Sequence, residues 1–253
     1  MSRIIAIANQ KGGVGKTTTS INLSACLAVA EKRVLLVDFD PQANTTSGLG
    51  LDKNNLPASV YDVIINSKSV SEAVADSQIE FLKILPANID LVGAEVELVN
   101  FDQREYRLKQ ALDKCRDDYD YILIDSPPSL GLLTLNSLTA ATEVIIPIQC
   151  EYYALEGLSQ LLQTIKMVQS SLNYNLKLGG VLLTMYDSRL NLSRQVAEEA
   201  RQYFDGKLFN AVINRNVRLS EAPSFGKPII FYDALSMGAS NYLQLAEEVL
   251  KNE

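Results

Sequence analysis

The 253-residue chain contains no histidine, which removes the commonest neutral-pH general base and metal ligand. Any chemistry here has to run on carboxylates, lysines, backbone dipoles and a bound ion. Cysteine is scarce: Cys26, Cys115 and Cys150 cannot all pair internally and show no C-x-x-C spacing, so buried free thiols are expected. There is no Pro/Gly/Ser-rich linker, no repeat and no long run of one charge sign, so nothing calls for a domain break. Long apolar runs are missing too. The first residues turn polar at Asn9 and no run reaches the length of a membrane span, which excludes a secretory signal and predicts a cytoplasmic protein without a membrane anchor.

Hydrophobic residues make up 47% of the chain, enough for a sizeable core, and residues 1–253 are expected to form a single domain. A net charge of −7 argues against a protein coated in nucleic acid by bulk attraction. That charge is unevenly spread. Between residues 185 and 230 seven basic residues face five acidic ones, leaving +2 there and −9 elsewhere.

The most informative stretch is Asn9-Gln10-Lys11-Gly12-Gly13-Val14-Gly15-Lys16-Thr17-Thr18-Thr19, between an apolar run at 4–8 and a helix-like run at 20–30. It reads as a phosphate-binding loop. Its glycines let the backbone curl so that N–H groups point at phosphate oxygens, and the following helix adds the positive end of its dipole. Residues Lys11, Gly12, Gly13, Val14, Gly15, Lys16, Thr17 and Thr18 would form the cradle, with Lys16 reaching the β- and γ-phosphates and Thr17 offering its hydroxyl to Mg²⁺. The general pattern G-x-x-x-x-G-K-[ST] wants glycine where this chain has Gln10, and an extra lysine, Lys11, precedes the glycines.

Two strands end in carboxylates. Residues 33–37 run into Asp38-Phe39-Asp40-Pro41-Gln42, and residues 119–124 into Asp125-Ser126-Pro127-Pro128. Ligands of open α/β sheets bind at such strand ends, so Asp125 is expected to hold Mg²⁺ directly or through water. Further strands at 143–149, 180–184 and 208–213, with a long helix at 155–172, alternate as a doubly wound, mostly parallel sheet requires. Glu151, just past the 143–149 strand, would face nucleotide or a partner subunit. Residues 45–118 say least: a turn at 47–50, a short helix at 60–65, a strand at 81–86 and an amphipathic helix at 104–115, all read as scaffold.

The loop with its extra lysine resembles the deviant Walker A loop of the ParA/MinD family of dimeric P-loop ATPases. Val37-Asp38-Phe39-Asp40-Pro41-Gln42 matches that family's V-D-x-D-P-Q, and Asn214 to Ser224 is similar to the base-binding loop of chromosomal ParA (Soj) proteins, which usually begins with proline. The resemblance runs from residue 4 to the vicinity of residue 250. It implies a partition ATPase that uses ATP and Mg²⁺. Lys11 would cross an ATP-dependent homodimer to the partner's nucleotide, Asp40 would orient the attacking water, and Asp38 would join the Mg²⁺ or water shell. Asn214 and Asn216 would contact the purine. Arg189 and Arg218 match DNA-contact positions, implying non-specific, nucleoid-associated DNA binding by the dimer and release by a ParB-type partner. The chain starts at its first strand, so an operator-binding domain ahead of it is not expected.

Two other readings compete. A MinD-like division-site regulator calls for a basic amphipathic helix at the end of the chain, whereas residues 246–253 are acidic. A redox relative of the nitrogenase iron protein needs a cluster cysteine just after the second carboxylate strand, where this chain has none; an amide-forming ligase is the other metabolic possibility.

Overall fold

The computed structural model describes residues 2–151, 158–204 and 206–252. Its strands are β1 (Arg3–Ile7), β2 (Val34–Asp38), β3 (Ala75–Asp76), β4 (Leu82–Leu85), β5 (Tyr121–Asp125), β6 (Glu143–Gln149), β7 (Lys177–Tyr186) and β8 (Leu208–Asn214). They form one sheet in the order β3-β4-β2-β5-β1-β6-β7-β8. Every pairing is parallel except the two-residue β3, which lies antiparallel on β4 at the edge.

The sequence pattern explains this order. β2 and β5 are buried along their whole length and β1 along all but its first residue, so their near-continuous Ile/Val/Leu runs suit strands covered on both faces. Side chains still alternate. Ile4 and Ala6 join the core on one face with Leu35, Val37, Ile122 and Ile124, while Ile5 and Ile7 join the other with Leu36, Leu123 and helix α1 (Lys16–Val29). β8, at the opposite edge, alternates in exposure instead. α1 is buried on most of its surface, wedged between the sheet and the last helix, Met237–Lys251.

Parallel register brings the functional ends into line: Asp125 lies opposite Ile7 of β1 on one side and Asp38 of β2 on the other. Several expected elements change form. Residues 47–50 do not make a simple turn, because Asn44–Gly48 is a one-turn helix and the turn comes after it, at Gly50 with φ 84°. The helix expected at 104–115 divides into a 3₁₀ turn, Arg104–Tyr106, and a helix, Arg107–Leu112. The helix expected to begin at Leu155 is described from Leu158 to Ser171, its expected start lying outside the described residues. Among the described residues no helix is long and apolar enough to cross a membrane.

Candidate active site

α1 begins at Gly15, whose φ of 90° only glycine adopts without strain. No side chain caps this end and its first turn carries no acidic residue, so the first N–H groups and the positive end of the dipole are left for an anion. The loop ahead of it is pinned from outside. Asn9 donates from Nδ2 to the Pro147 carbonyl at 2.8 Å and accepts from the Lys11 N–H at 3.0 Å. Thr184, on β7, donates from Oγ1 to the Val14 carbonyl at 2.8 Å.

Lys16 is 6% exposed, and its Nζ donates to the Lys11 carbonyl at 3.0 Å. Burial pulls its pKa down, against the opposing charges of Asp125 and Asp40. Asp125, fully buried, collects three hydroxyls: Thr17 Oγ1 at 2.8 Å, Thr45 Oγ1 at 2.7 Å and Ser20 Oγ at 3.1 Å. Asp38 accepts from the Thr46 N–H at 2.8 Å, from Thr46 Oγ1 at 2.6 Å and from the Asp40 N–H at 3.3 Å. Burial pushes Asp38 up to about 7, with Asp125's charge adding to the rise, and pushes Asp125 up to about 6 against its three hydroxyl donors.

Two buried carboxylates on adjacent strands, beside a threonine hydroxyl, form a hard-oxygen donor set that suits Mg²⁺ and would be relieved by its charge. Among the described residues no group of three or more His, Cys, Asp or Glu is arranged to hold a metal alone; the remaining ligands would be phosphate and water oxygens. Asp40 is buried as well, 7% exposed. Its Oδ1 accepts from the Gln42 N–H at 2.9 Å, while Oδ2 takes no hydrogen bond among the described residues.

The structure thus brings together Lys16, Thr17, Asp38, Asp40 and Asp125. It does not place Lys11 among them. Lys11 Nζ lies 3.6 Å from Glu151 Oε2, both side chains being nearly half exposed, and Gln149 donates to the other Glu151 oxygen. Asn214 donates from its N–H and Nδ2 to Asn241 Oδ1 at 3.1 and 3.2 Å. Asn216 caps the short helix Val217–Glu221 by accepting from the Arg218 N–H at 2.8 Å. Arg189 forks onto Asp187 at 2.9 and 2.7 Å. Arg218 pairs with Glu221 at 2.9 Å and Asp233 at 3.4 Å. Both arginines are exposed on the surface.

Sequence reasoning missed Ser20, Thr45, Thr46 and Thr184. The Thr45-Thr46 pair directly after the carboxylate segment was a usable signal; Thr184, far downstream on β7, offered none. The cysteines are free thiols. Burial pushes Cys26 and Cys150 up to about 12 and Cys115 up to about 11, so all stay protonated at neutral pH.

Comparison with known proteins extends the geometry. The AAA domain family matches residues 2–178. The sporulation initiation inhibitor protein Soj of Bacillus subtilis is 60% identical over 252 residues, covering 100% of both chains. The chromosome partitioning protein ParA of Myxococcus xanthus is 56% identical, covering 100% of this chain and 89% of that one. Among solved structures, cobyrinic acid a,c-diamide synthase from Mycobacterium smegmatis with bound ADP and magnesium is similar, with a TM-score of 0.88 and 43% identity over 100% of this chain and 95% of that one.

Proposed function

The chain belongs to the Soj/ParA family of chromosome-partitioning ATPases, and from that premise we propose that ATP sandwiches two copies into a dimer that binds DNA without sequence preference. It hydrolyses ATP to ADP and phosphate with Mg²⁺. A ParB-type protein stimulates the hydrolysis and so releases the DNA. The whole of residues 1–253 acts as one ATPase domain, in the cytoplasm and on the nucleoid. The observation that carries this reading is the convergence of the buried Lys16, Asp38, Asp40 and Asp125 with the half-buried Thr17 on the uncapped start of α1.

Each residue has a role that its surroundings support. The loop N–H groups and Lys16 bind the phosphates, Lys16 giving up the Lys11 carbonyl for a stronger anionic partner. Thr17 and Asp125 would hold Mg²⁺, with Asp38 in its outer shell; bound there, the ion neutralises charge on the phosphate oxygens. Asp40 keeps one oxygen on the Gln42 N–H and has the other for a water molecule. Holding that water in line is what phosphoryl transfer asks of a carboxylate.

Lys11 leaves Glu151 for the partner's nucleotide, which costs little because an exposed ion pair contributes little. By the same argument DNA phosphates compete Arg189 and Arg218 away from their carboxylates. Asn214 and Asn216, the second of which caps the Arg218 helix, contact the purine. The last helix carries Glu247 and Glu248, with Lys251 paired to Glu247 at 3.8 Å, so nothing on it favours an anionic membrane surface.

Light scattering and retention of a random-sequence duplex, each with and without ATP, test the reading. The wild-type chain doubles in mass and retains the duplex only with ATP, and Lys16→Ala does neither. A Lys16→Ala protein that binds ATP as tightly as wild type would put the site elsewhere.

A further inference from the structure

Among the described residues four arginines are half-buried, and three of them pair with a carboxylate: Arg3 with Glu143, Arg104 with Glu105 and Arg116 with Asp113. Arg107 is the fourth and forms no ion pair among them. It is nevertheless held firmly. Its Nε donates to the Ile64 carbonyl at 2.8 Å and its Nη2 to Ser67 Oγ at 3.0 Å, while its guanidinium carbon stands 5.1 Å from the centre of the Phe101 ring. The cation is fixed in direction without being neutralised, and its Nη1 takes no partner among the described residues.

Arg107 lines a cavity of about 270 Å³ whose other charged lining residues are Lys68, Lys114 and Asp118. Three cations against one carboxylate leave +2 there, in a chain whose net charge is −7. Neither lysine makes an ion pair among the described residues. Glu72, which interacts with Lys68 through charge, is already spent on the Ser69 N–H at 3.0 Å as the cap of the short helix Val70–Ala73. Ser67 holds a left-handed φ of 59°, a backbone region uncommon outside glycine. The hydroxyl so placed accepts from Arg107 and has its own proton free for an acceptor in the cavity.

This lining selects an anion. A single carboxylate would leave positive charge over, whereas a phosphate dianion matches the +2. A fixed guanidinium with ammonium groups and a hydroxyl donor beside it is the set that phosphate oxygens take. A concave pocket of this size suits a small molecule rather than a polymer. It is also remote from the phosphate loop, because Cys115 and Asp118 line it from the segment before β5, whose opposite end carries Asp125. We propose that this cavity binds the phosphate group of a small phosphorylated molecule, as a second anion site independent of the nucleotide site.

Inorganic phosphate is the probe, titrated by calorimetry above its second pKa and at constant ionic strength, with Mg²⁺ and a non-hydrolysable ATP analogue filling the phosphate loop. The wild-type chain should bind one phosphate in this state. Lys114→Glu should weaken that binding about tenfold or more, the loss of one charged contact. Its dimer mass and basal ATP turnover should stay at wild type, because the side chain is exposed, unpaired and outside the active site. Arg107→Lys should weaken phosphate by a similar factor, since an ammonium group cannot replace the planar fork. A wild-type chain that binds no phosphate would overturn the proposal, as would unchanged affinity in Lys114→Glu. Retention of a random-sequence duplex that falls in Lys114→Glu would overturn it in favour of a nucleic-acid contact.

Discussion

Thr184→Val alters the phosphate loop from a strand outside it. Thr184 and Val14 are 170 positions apart in the chain, and each is 2% exposed. Valine keeps the branched shape but sets a methyl group against the Val14 carbonyl in place of a donor at 2.8 Å. A buried carbonyl left without a partner costs about 1–3 kcal/mol. A carbon also needs about 3.3 Å from an oxygen, so the loop must shift by several tenths of an ångström. If the whole penalty falls on the conformation that accepts phosphate, ATP affinity drops by about 5- to 150-fold, at 1.4 kcal/mol per factor of ten. Melting should fall by about 2–4 °C for each kcal/mol lost in a chain of this size. Thr184→Ser restores the hydroxyl and should lie within about threefold of wild type, since the hydrogen bond survives. Titration calorimetry with ATP and Mg²⁺, paired with scanning calorimetry, measures both effects. Wild-type ATP affinity in Thr184→Val, or a serine variant as weak as the valine one, would refute the role given to this hydrogen bond.

Lys11→Ala should bind nucleotide as a monomer and fail to dimerise, since its ammonium group is directed away from its own carboxylate cluster and onto Glu151; a normal ATP-dependent dimer in light scattering would make Lys11 a solvated loop residue. Arg218→Glu should keep the ATP-dependent dimer and lose DNA. Phosphate contacts make binding fall steeply with salt, so a variant that retains DNA with the wild-type salt slope would remove Arg218 from the binding surface.

The parts of the site that are contiguous in the chain were legible in the sequence. Gly12 to Thr18 has one strong reading because glycine spacing, lysine and threonine must sit in fixed order to wrap a phosphate. The strands ending in Asp38 and Asp125 were legible because burial on both faces forces unbroken apolar runs. The hidden parts are contacts between distant segments. Thr184 reaches Val14 across the sheet, and Asn22 of α1 ties the Thr18 carbonyl to the Ile229 N–H. Gly226 backs onto Gly50 so closely that a Cβ would stand 2.6 Å from the Gly50 Cα. Residues 45–118 looked like scaffold because their signals are short: a five-residue helix carrying Thr45 and Thr46, a two-residue edge strand, and a helix with apolar residues on two faces. Periodicity over so few residues cannot separate a core face from an exposed one. The ion pairs of Lys11, Arg189 and Arg218 were not legible either, because they depend on side-chain positions at loop ends.

Asp40→Ala tests the central claim most directly, with phosphate release and mass measured on one sample in ATP and Mg²⁺. The Lys16 and Asp125 contacts do not involve Asp40's side chain, so nucleotide binding should persist while the water loses its orienting carboxylate. The expected result is an accumulating dimer that releases no phosphate. Hydrolysis at the wild-type rate, or a variant that stays monomeric in ATP, would contradict the account.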